Sequence, residues 1–131
     1  GPLGDFRIND QSKNKNIIFI STGVGIAPFM SMIPEILDKS DKKIKLITGY
    51  KSEKEGLYNK EIKSLEKKYN NFLNYTILSE SQGRVQSLVE EHFDKNADYY
   101  ICGLKDMISS VRLLLNKKGI EMKNIIIEKY D

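Results

Sequence analysis

The sequence is poor in the residues from which disulfides and metal sites are built. Its 131 residues include one cysteine, Cys102, and one histidine, His92. One cysteine excludes a disulfide within the chain and an iron–sulfur cluster held by this chain alone, and it makes a reducing compartment, the cytoplasm, the easier expectation. One histidine argues against a multi-histidine metal centre, so we predict no metal site. His92 itself is expected to be a solvated surface residue.

Long apolar runs and charge of one sign are also missing. No apolar run approaches the ~20 residues that cross a bilayer, so we expect no membrane span. The net charge is +3, from 21 basic and 18 acidic side chains, and lysines mix with glutamates in segments such as 51–55 and 63–68. Such mixing is typical of solvated helix faces and not of a nucleic-acid interface. The small positive excess favours a phosphate-bearing cofactor or an acidic redox partner.

The sequence does contain regularly alternating strand and helix signals. The length suits one domain with a core, and 40% hydrophobic and 30% charged residues are a globular balance. Asn59 is expected to cap the second helix and Gly119 to follow the end of the fourth. The alternation predicts an α/β fold, a doubly wound parallel five-stranded sheet with helices on both faces. The predicted strands are 17–20, 44–50, 72–78, 97–102 and 124–128, and the predicted helices are 27–37, 59–69, 85–93 and 105–117.

A glycine-containing turn joins the first predicted strand to the first predicted helix. Gly23 and Gly25 remove side chains from its surface, so a ligand could approach the backbone. The helix that opens at Ala27-Pro28 would offer free N–H groups and the positive end of its dipole to an anion. The segment therefore predicts a dinucleotide phosphate site. The spacing alone is a weak signal, because it lacks a third glycine and a P-loop lysine, and a plain tight turn would also explain it.

The residues after the other strands strengthen this interpretation, because ligands of open parallel sheets bind outside the carboxyl ends of the strands. Together these strand ends resemble the C-terminal NAD(P)-binding domain of the ferredoxin–NADP⁺ reductase family. The resemblance covers nearly the whole chain. It rests on segment 22–29, on Gly49-Tyr50-Lys51 with Leu57-Tyr58 and Glu61, on Leu78-Ser79, on the Cys-Gly-x-x-x-Met segment 100–107, on Glu128-Lys129-Tyr130, and on a Gly-Pro-x-Gly-x-Phe junction at 1–6.

The resemblance implies a two-domain flavoenzyme that passes a hydride between nicotinamide and FAD. Residues 1–15 would be the junction from an FAD-binding barrel, or partly a tag remnant, and residues 16–131 the NAD(P)-binding domain. The flavin-binding Arg-x-Tyr-Ser/Thr motif is absent from this sequence. We therefore expect part of an FAD-dependent NAD(P)H oxidoreductase, inactive alone. Its expected partners are the FAD-binding domain, in the same protein or a partner chain, and a redox acceptor protein.

The resemblance also implies roles for individual residues. Cys102 would face the C4 side of the nicotinamide and orient it, Glu128 would stabilise developing charge or relay a proton, and Tyr130 would stack on the flavin ring. From the residues alone, Cys102 could equally be a small buried strand residue and Glu128 a surface carboxylate. The implied cofactor-binding residues are Thr22, Gly23, Val24, Gly25, Ile26, Ala27, Pro28, Tyr50, Lys51, Ser79, Glu80, Arg84, Gly103, Leu104 and Met107.

Two charges bear on the choice between NADH and NADPH. Glu80 follows Ser79 where NADP-specific members of the family commonly place an arginine, so it would repel a 2′-phosphate and could accept from a ribose hydroxyl. Arg84 stands where plant-type members place an adenine-stacking tyrosine, and its guanidinium could stack on adenine or pair with a phosphate. The two signals conflict, and the balance leans toward NADH.

Two other interpretations compete with the reductase domain. The chain could be a nucleotide-binding regulatory or interaction module of the same fold without redox activity. It could also be an unrelated doubly wound domain, such as a receiver or a methyltransferase. Receivers need an acidic cluster at their strand ends and methyltransferases an acid at the end of the second strand, and Ser21-Thr22 and Gly49-Tyr50 provide neither.

Overall fold

The computed structural model describes residues 12–129. These residues form one five-stranded sheet in the order β3-β2-β1-β4-β5, and every neighbouring pair is parallel. The predicted α/β fold is confirmed, with α1 and α2 on one face and α3 and α4 on the other. The elements are β1 (Asn16–Thr22), α1 (Ala27–Lys39), β2 (Lys43–Tyr50), α2 (Asn59–Lys68), β3 (Phe72–Leu78), α3 (Val85–Glu91), β4 (Ala97–Gly103), α4 (Lys105–Lys117) and β5 (Ile125–Lys129).

Strand β1 is the centre of the sheet, which explains its unbroken apolar run. It pairs with β2 on one side and β4 on the other. Ile17 and Phe19 belong to the core beneath α1 and α2, whereas Ile18 and Ile20 belong to the core beneath α3 and α4. A central parallel strand is covered on both faces, so the middle of β1, Ile17 to Ile20, is apolar at consecutive positions instead of alternating.

Helix α1 follows its predicted amphipathic pattern. Pro28 lies in its first turn, where a missing N–H costs nothing, and the helix continues through Pro34 to Lys39. Its inward side buries Phe29, Ile33 and two further apolar residues, Ile36 and Leu37.

The beginning of α2 differs from the prediction. Asn59 is the first helical residue and not the cap, and Tyr58 occupies the cap position with a left-handed φ of 65° and no side-chain cap hydrogen bond. The hydroxyl of Tyr50 donates to the carbonyl of Leu57 at 3.2 Å and fixes the chain just before this point. Tertiary anchoring has therefore outweighed the capping preference of asparagine. The prediction for Gly119 is confirmed, because it follows α4 with φ of 93°.

The expectation that His92 is solvated was wrong. Helix α3 packs against β2 and β3, so the residue after its last turn reaches the edge strand β3. There the imidazole stacks on the ring of Tyr75, with centroids 3.6 Å apart and an interplanar angle of 17°. The His92 side chain is only 18% exposed.

A buried carboxylate closes the amino edge of the sheet. Asp98, at the start of β4, is 2% exposed. One of its oxygens accepts hydrogen bonds from the Ser12 hydroxyl at 2.9 Å, the Asn14 amide at 3.0 Å and the Asn124 amide at 2.8 Å. The segment before β1 and the segment before β5 are thereby tied to β4. Within residues 12–129, no helix is long and apolar enough to span a membrane.

Candidate functional site

An open cavity of about 450 Å³ lies at the carboxyl edge of the sheet, and we call it the edge cavity. It occupies the position where ligands of open parallel sheets bind, between the turn after β1, the end of β2 and the starts of α3 and α4. Its lining residues are Thr22, Gly23, Val24, Gly49, Tyr50, Lys51, Glu55, Ile77, Ser79, Gly83, Arg84, Val85, Gln86, Leu104, Asp106, Met107 and Ser110.

The edge cavity brings together only part of the site predicted from the sequence. Tyr130 lies outside the described residues, and its role stays a prediction. The predicted residues on the wall are Thr22, Gly23, Val24, Tyr50, Lys51, Ser79, Arg84, Leu104 and Met107. The predicted residues outside that lining are Gly25, Ile26, Ala27, Pro28, Glu80, Cys102, Gly103 and Glu128.

Glycine is required at the two positions of the turn for different physical reasons. Gly23 has φ of 55°, and a Cβ added to it would meet nothing within 4 Å, so it is an open left-handed position where a ligand can approach the backbone. Gly25 is buried, and an added Cβ would collide with the backbone carbonyl of Cys102. The first glycine therefore shapes the cavity surface, and the second lets the turn pack on the end of β4.

The turn leads into α1, and no carboxylate in the first turn offsets the positive end of the helix dipole. Residues Gly23–Ile26 form a short 3₁₀ helix that continues directly into α1, and neither helix has an acidic residue in its first turn. The Ala27 amide donates to the Val24 carbonyl. The residues of this turn that line the cavity are Thr22, Gly23 and Val24. This end of α1 is suited to an anion.

Gly103 makes room where three elements converge. A Cβ at this position would lie 2.8 Å from Oγ1 of Thr22 and 2.7 Å from Cε of Met107. Thr22 ends β1 and Met107 belongs to the first turn of α4, and both line the edge cavity. Gly103 therefore acts from behind the wall, by letting these two side chains approach each other.

Backbone hydrogen bonds place the wall formed by β2 and β3. The Ser79 amide donates to the Tyr50 carbonyl at 2.7 Å, and the Glu80 amide donates to the Lys51 carbonyl at 3.1 Å. These bonds extend the β2–β3 pairing beyond the strands and hold Ser79 at the cavity. Burial raises the pKa of the Tyr50 phenol above its ordinary value.

Charge is distributed unevenly around the edge cavity. Lys51 follows β2, and Arg84 precedes α3 after a turn in which Gly83 has φ of 118°. Two carboxylates also line the cavity, Glu55 in the loop after β2 and Asp106 in the first turn of α4. Both cations and Glu55 thus lie on the side of β2 and α3, and Asp106 is the acid on the side of α4.

The two predicted catalytic residues within the described chain occupy different surroundings. Cys102 is fully buried, and its side chain belongs to the core beneath α1. Glu128 lines a second open cavity of about 600 Å³, beside Lys105, Asp106 and Arg112. We call this the β5 cavity. The structure therefore places the thiol behind the turn and the carboxylate beside the first turn of α4.

Several cavity residues were not predicted from the sequence, among them the carboxylate of Asp106. Ser110 follows Met107 by three residues and Asp106 by four, so it shares a side of α4 with each of them. Extending the face marked by Met107 would have found Ser110, and Asp106 lies one helical turn before Ser110. Glu55 had no such signal, because it ends a single short 3₁₀ turn, Glu53–Glu55, that buries none of its residues. In the part of the chain that the structure describes, no group of three or more histidine, cysteine and acidic residues could hold a metal ion.

Comparison with known proteins finds one matching family model and relatives that align with nearly the whole chain. A family model described as the oxidoreductase NAD-binding domain matches residues 19–113. The chain is 27% identical over 139 aligned positions to the anthranilate 1,2-dioxygenase electron transfer component of Acinetobacter baylyi, covering 98% of this chain and 40% of that protein. It is 32% identical over 142 positions to flavohemoprotein B of Dictyostelium discoideum, covering 98% of this chain and 33% of that protein.

A solved structure resembles the whole fold. Ferredoxin-NADP+ reductase from Plasmodium falciparum, determined with 2'P-AMP, superposes with a TM-score of 0.79 at 26% identity, and the match covers 95% of this chain and 56% of that one. The chain thus spans well under half of the length of the two relatives above and just over half of this solved chain.

Proposed function

The chain belongs to the oxidoreductase NAD-binding domain family, and from this premise we propose that its edge cavity binds NAD(P)H within a longer flavin-dependent oxidoreductase. The observation that carries the proposal is the combination at one sheet edge of an open glycine turn, an uncompensated helix end and two cations. These groups suit a pyrophosphate and, in NADPH, the 2′-phosphate on the adenosine ribose.

The distribution of charge supports one orientation of the nucleotide. The pyrophosphate would lie over Thr22, Gly23 and Val24, where backbone groups and the threonine hydroxyl can donate. The adenosine end would lie toward Lys51 and Arg84, with Ser79 near the ribose. The nicotinamide end would then lie toward Leu104 and Met107. When bound, the nicotinamide supplies a hydride to a flavin held by another domain.

The residues behind the wall would position the reacting end. Cys102 is buried in the core beneath α1, and its packing would hold the end of β4 in place. Glu128 is a partly exposed carboxylate at the end of β5 and could stabilise charge at the edge where a flavin domain would approach. Tyr130 keeps its predicted stacking role.

We propose that the adenosine end accepts both NADH and NADPH. Glu80, on which the preference for NADH depended, does not line the edge cavity, whereas Lys51 and Arg84 do. Both cations fit a 2′-phosphate, the group present in the 2'P-AMP of the solved reductase, and Glu55 opposes it. The two effects offset each other, so we expect affinities for NADH and NADPH within about tenfold of one another.

The remaining parts of the oxidoreductase would be supplied by other segments or chains. We propose that residues 1–15 form the junction to an FAD-binding domain and that residues 16–131 form the nucleotide domain. The FAD-binding domain would belong to the full-length protein or to a partner chain, and a redox acceptor protein would receive the electrons. The single cysteine is consistent with a cytoplasmic protein.

Calorimetric titration of the 131-residue chain with NADH, NADPH and ADP-ribose tests the proposal. We expect weak binding of all three, because the part of the site that a flavin domain would add is not in this chain. Arg84→Gln should weaken NADPH more than NADH, since only NADPH carries the 2′-phosphate. Lys95→Gln, which removes an exposed cation outside the edge cavity, is the matched control. No binding of any nucleotide at millimolar concentration would contradict the assignment.

A further inference from the structure

We infer that Asp106 makes this site bind oxidised nicotinamide more tightly than reduced nicotinamide. The inference rests on the proposed function, because it concerns the nicotinamide end of the same edge cavity. Asp106 lies in the first turn of α4 and lines the edge cavity beside Leu104 and Met107. It also lines the β5 cavity, so its carboxylate lies at the boundary between the two.

The first argument is the contrast between two helix ends that face the same edge. The 3₁₀ helix and α1 have no acid in their first turns, so no carboxylate of these turns opposes the pyrophosphate. The first turn of α4 contains Asp106, whose negative charge offsets the positive end of that helix. Lys105, the cation in the same turn, lines the β5 cavity and not the edge cavity, so the edge-cavity side of the α4 end suits a group that is neutral or positive.

The second argument comes from the chemistry of the nucleotide. The oxidised nicotinamide ring carries a positive charge and the reduced ring carries none, whereas the pyrophosphate and adenosine are the same in both forms. A carboxylate beside the ring therefore attracts only the oxidised form. A carboxylate at the adenosine end would act equally on both.

The positions of the other charged groups single out Asp106. Glu55, the other carboxylate on the wall, lies in the loop after β2, toward the adenosine end. Lys105, Arg112 and Glu128 line the β5 cavity but not the edge cavity. Asp106 is thus the one acid that the described residues place on the α4 wall of the edge cavity.

The expected size of the effect follows from exposure. Asp106 is an exposed residue, so water screens its interaction with the ring. A unit charge pair several ångströms apart in such surroundings changes affinity by about threefold at low salt. A threefold preference for the oxidised form makes the bound couple a stronger reductant by about 14 mV. The preference would favour hydride transfer away from the nucleotide.

This inference is tested by calorimetric titration at low ionic strength. The 131-residue chain and its Asp106→Asn variant are each titrated with NAD⁺, NADH and ADP-ribose. Asp106→Asn should weaken NAD⁺ by about threefold while NADH and ADP-ribose stay unchanged or bind slightly more tightly. This opposite behaviour is diagnostic, because a change in overall charge alone would strengthen the binding of all three anions. Asp106→Glu, which keeps the charge, should retain the wild-type ratio of NAD⁺ to NADH affinity.

Glu121→Gln is the control for overall charge, since Glu121 is exposed and lines neither cavity. It should move the NAD⁺ and NADH affinities together. If Asp106→Asn does the same, or leaves NAD⁺ unaffected, the inference is overturned while nucleotide binding itself stands. If the wild-type chain binds none of the three ligands, the proposed function fails instead.

Discussion

Cys102 and Glu128 are register partners on the neighbouring parallel strands β4 and β5, yet they meet different surroundings. Cys102 is fully buried beneath the turn that follows β1, and Glu128 opens into the β5 cavity. A thiol in such a position contributes packing and has little chance to react.

The first prediction concerns the reactivity of this thiol. In the folded chain, Cys102 should be protected from a disulfide reagent such as Ellman's reagent, because its side chain has no exposed surface. Its modification should occur only at the rate of structural opening and should become fast in denaturing urea. The absorbance of the released thiolate during the reaction measures both rates. Rapid stoichiometric modification under native conditions would show that the end of β4 is open.

The second prediction compares two glycines with the same backbone restriction. Gly23 and Gly119 both have positive φ, and an added Cβ would meet nothing within 4 Å at either position. Alanine at each should therefore lower the free energy of unfolding by about 1 kcal/mol through left-handed backbone strain alone, measured by urea denaturation.

Only Gly23→Ala should also weaken NADH, because its methyl group would cover backbone that the pyrophosphate must approach. Gly119 follows α4 and lies outside the edge cavity, so Gly119→Ala is the control for the strain. Equal NADH affinities for the two variants would show that the turn at Gly23 is not part of the binding site.

The third prediction concerns Gly25, where alanine creates a collision instead of strain. The added Cβ would meet the carbonyl of Cys102, a backbone group that cannot move without shifting the end of β4. We expect Gly25→Ala to lower the free energy of unfolding by about 3 kcal/mol, more than Gly23→Ala does. Thermal and urea unfolding followed by circular dichroism provide the measurement. A loss below that of Gly23→Ala would show that the turn does not pack on β4 as described.

The fourth prediction is a loss of stability at high pH. Burial raises the pKa of Tyr99 to about 12 from an ordinary value of 10.0, and its hydroxyl donates to the Asp94 carbonyl at 2.9 Å. Between these two pKa values the unfolded chain releases a proton that the folded chain retains, so the free energy of unfolding falls as pH rises from 10 to 12. The expected decrease from this group is about 2 kcal/mol.

Tyr99→Phe provides the comparison for that profile. It should be less stable near pH 7, because the Asp94 amide loses the hydroxyl that accepts its hydrogen bond at 2.9 Å. Its stability should, however, depend less on pH between 10 and 12. Parallel pH profiles for the two proteins would instead assign the alkaline loss to other groups.

The sheet could be predicted from the sequence because its signals are local. The run Ile17–Ile20 is buried on both faces, as its composition indicated, and the alternation of strand and helix allowed only a parallel arrangement. The turn from Thr22 to Gly25 was also found, since glycine spacing and the following proline lie within one short segment.

The parts that were missed depend on contacts between distant segments. The packing of Gly25 on Cys102 requires β1 and β4 to be neighbours, which no local pattern reveals. The same is true of His92 against Tyr75 and of the left-handed Tyr58 that displaced Asn59 from its capping role. The edge-cavity wall includes Ser79 and not Glu80, at a point where the hydrogen bonds run beyond the ends of β2 and β3.

Because of the hydrogen bonds to Asp98, we expect amide protons at the amino edge of the sheet to exchange more slowly than those at the carboxyl edge. All seven residues of β4 are buried, and its amino end is tied to Ser12, Asn14 and Asn124 through one carboxylate. Amide protons there should exchange with solvent only when the whole domain unfolds, over hours or longer, whereas those of the turn at Gly23 should exchange by brief local opening. The proposed nucleotide site would therefore lie at the edge that opens readily, whereas the opposite edge would open only when the domain unfolds.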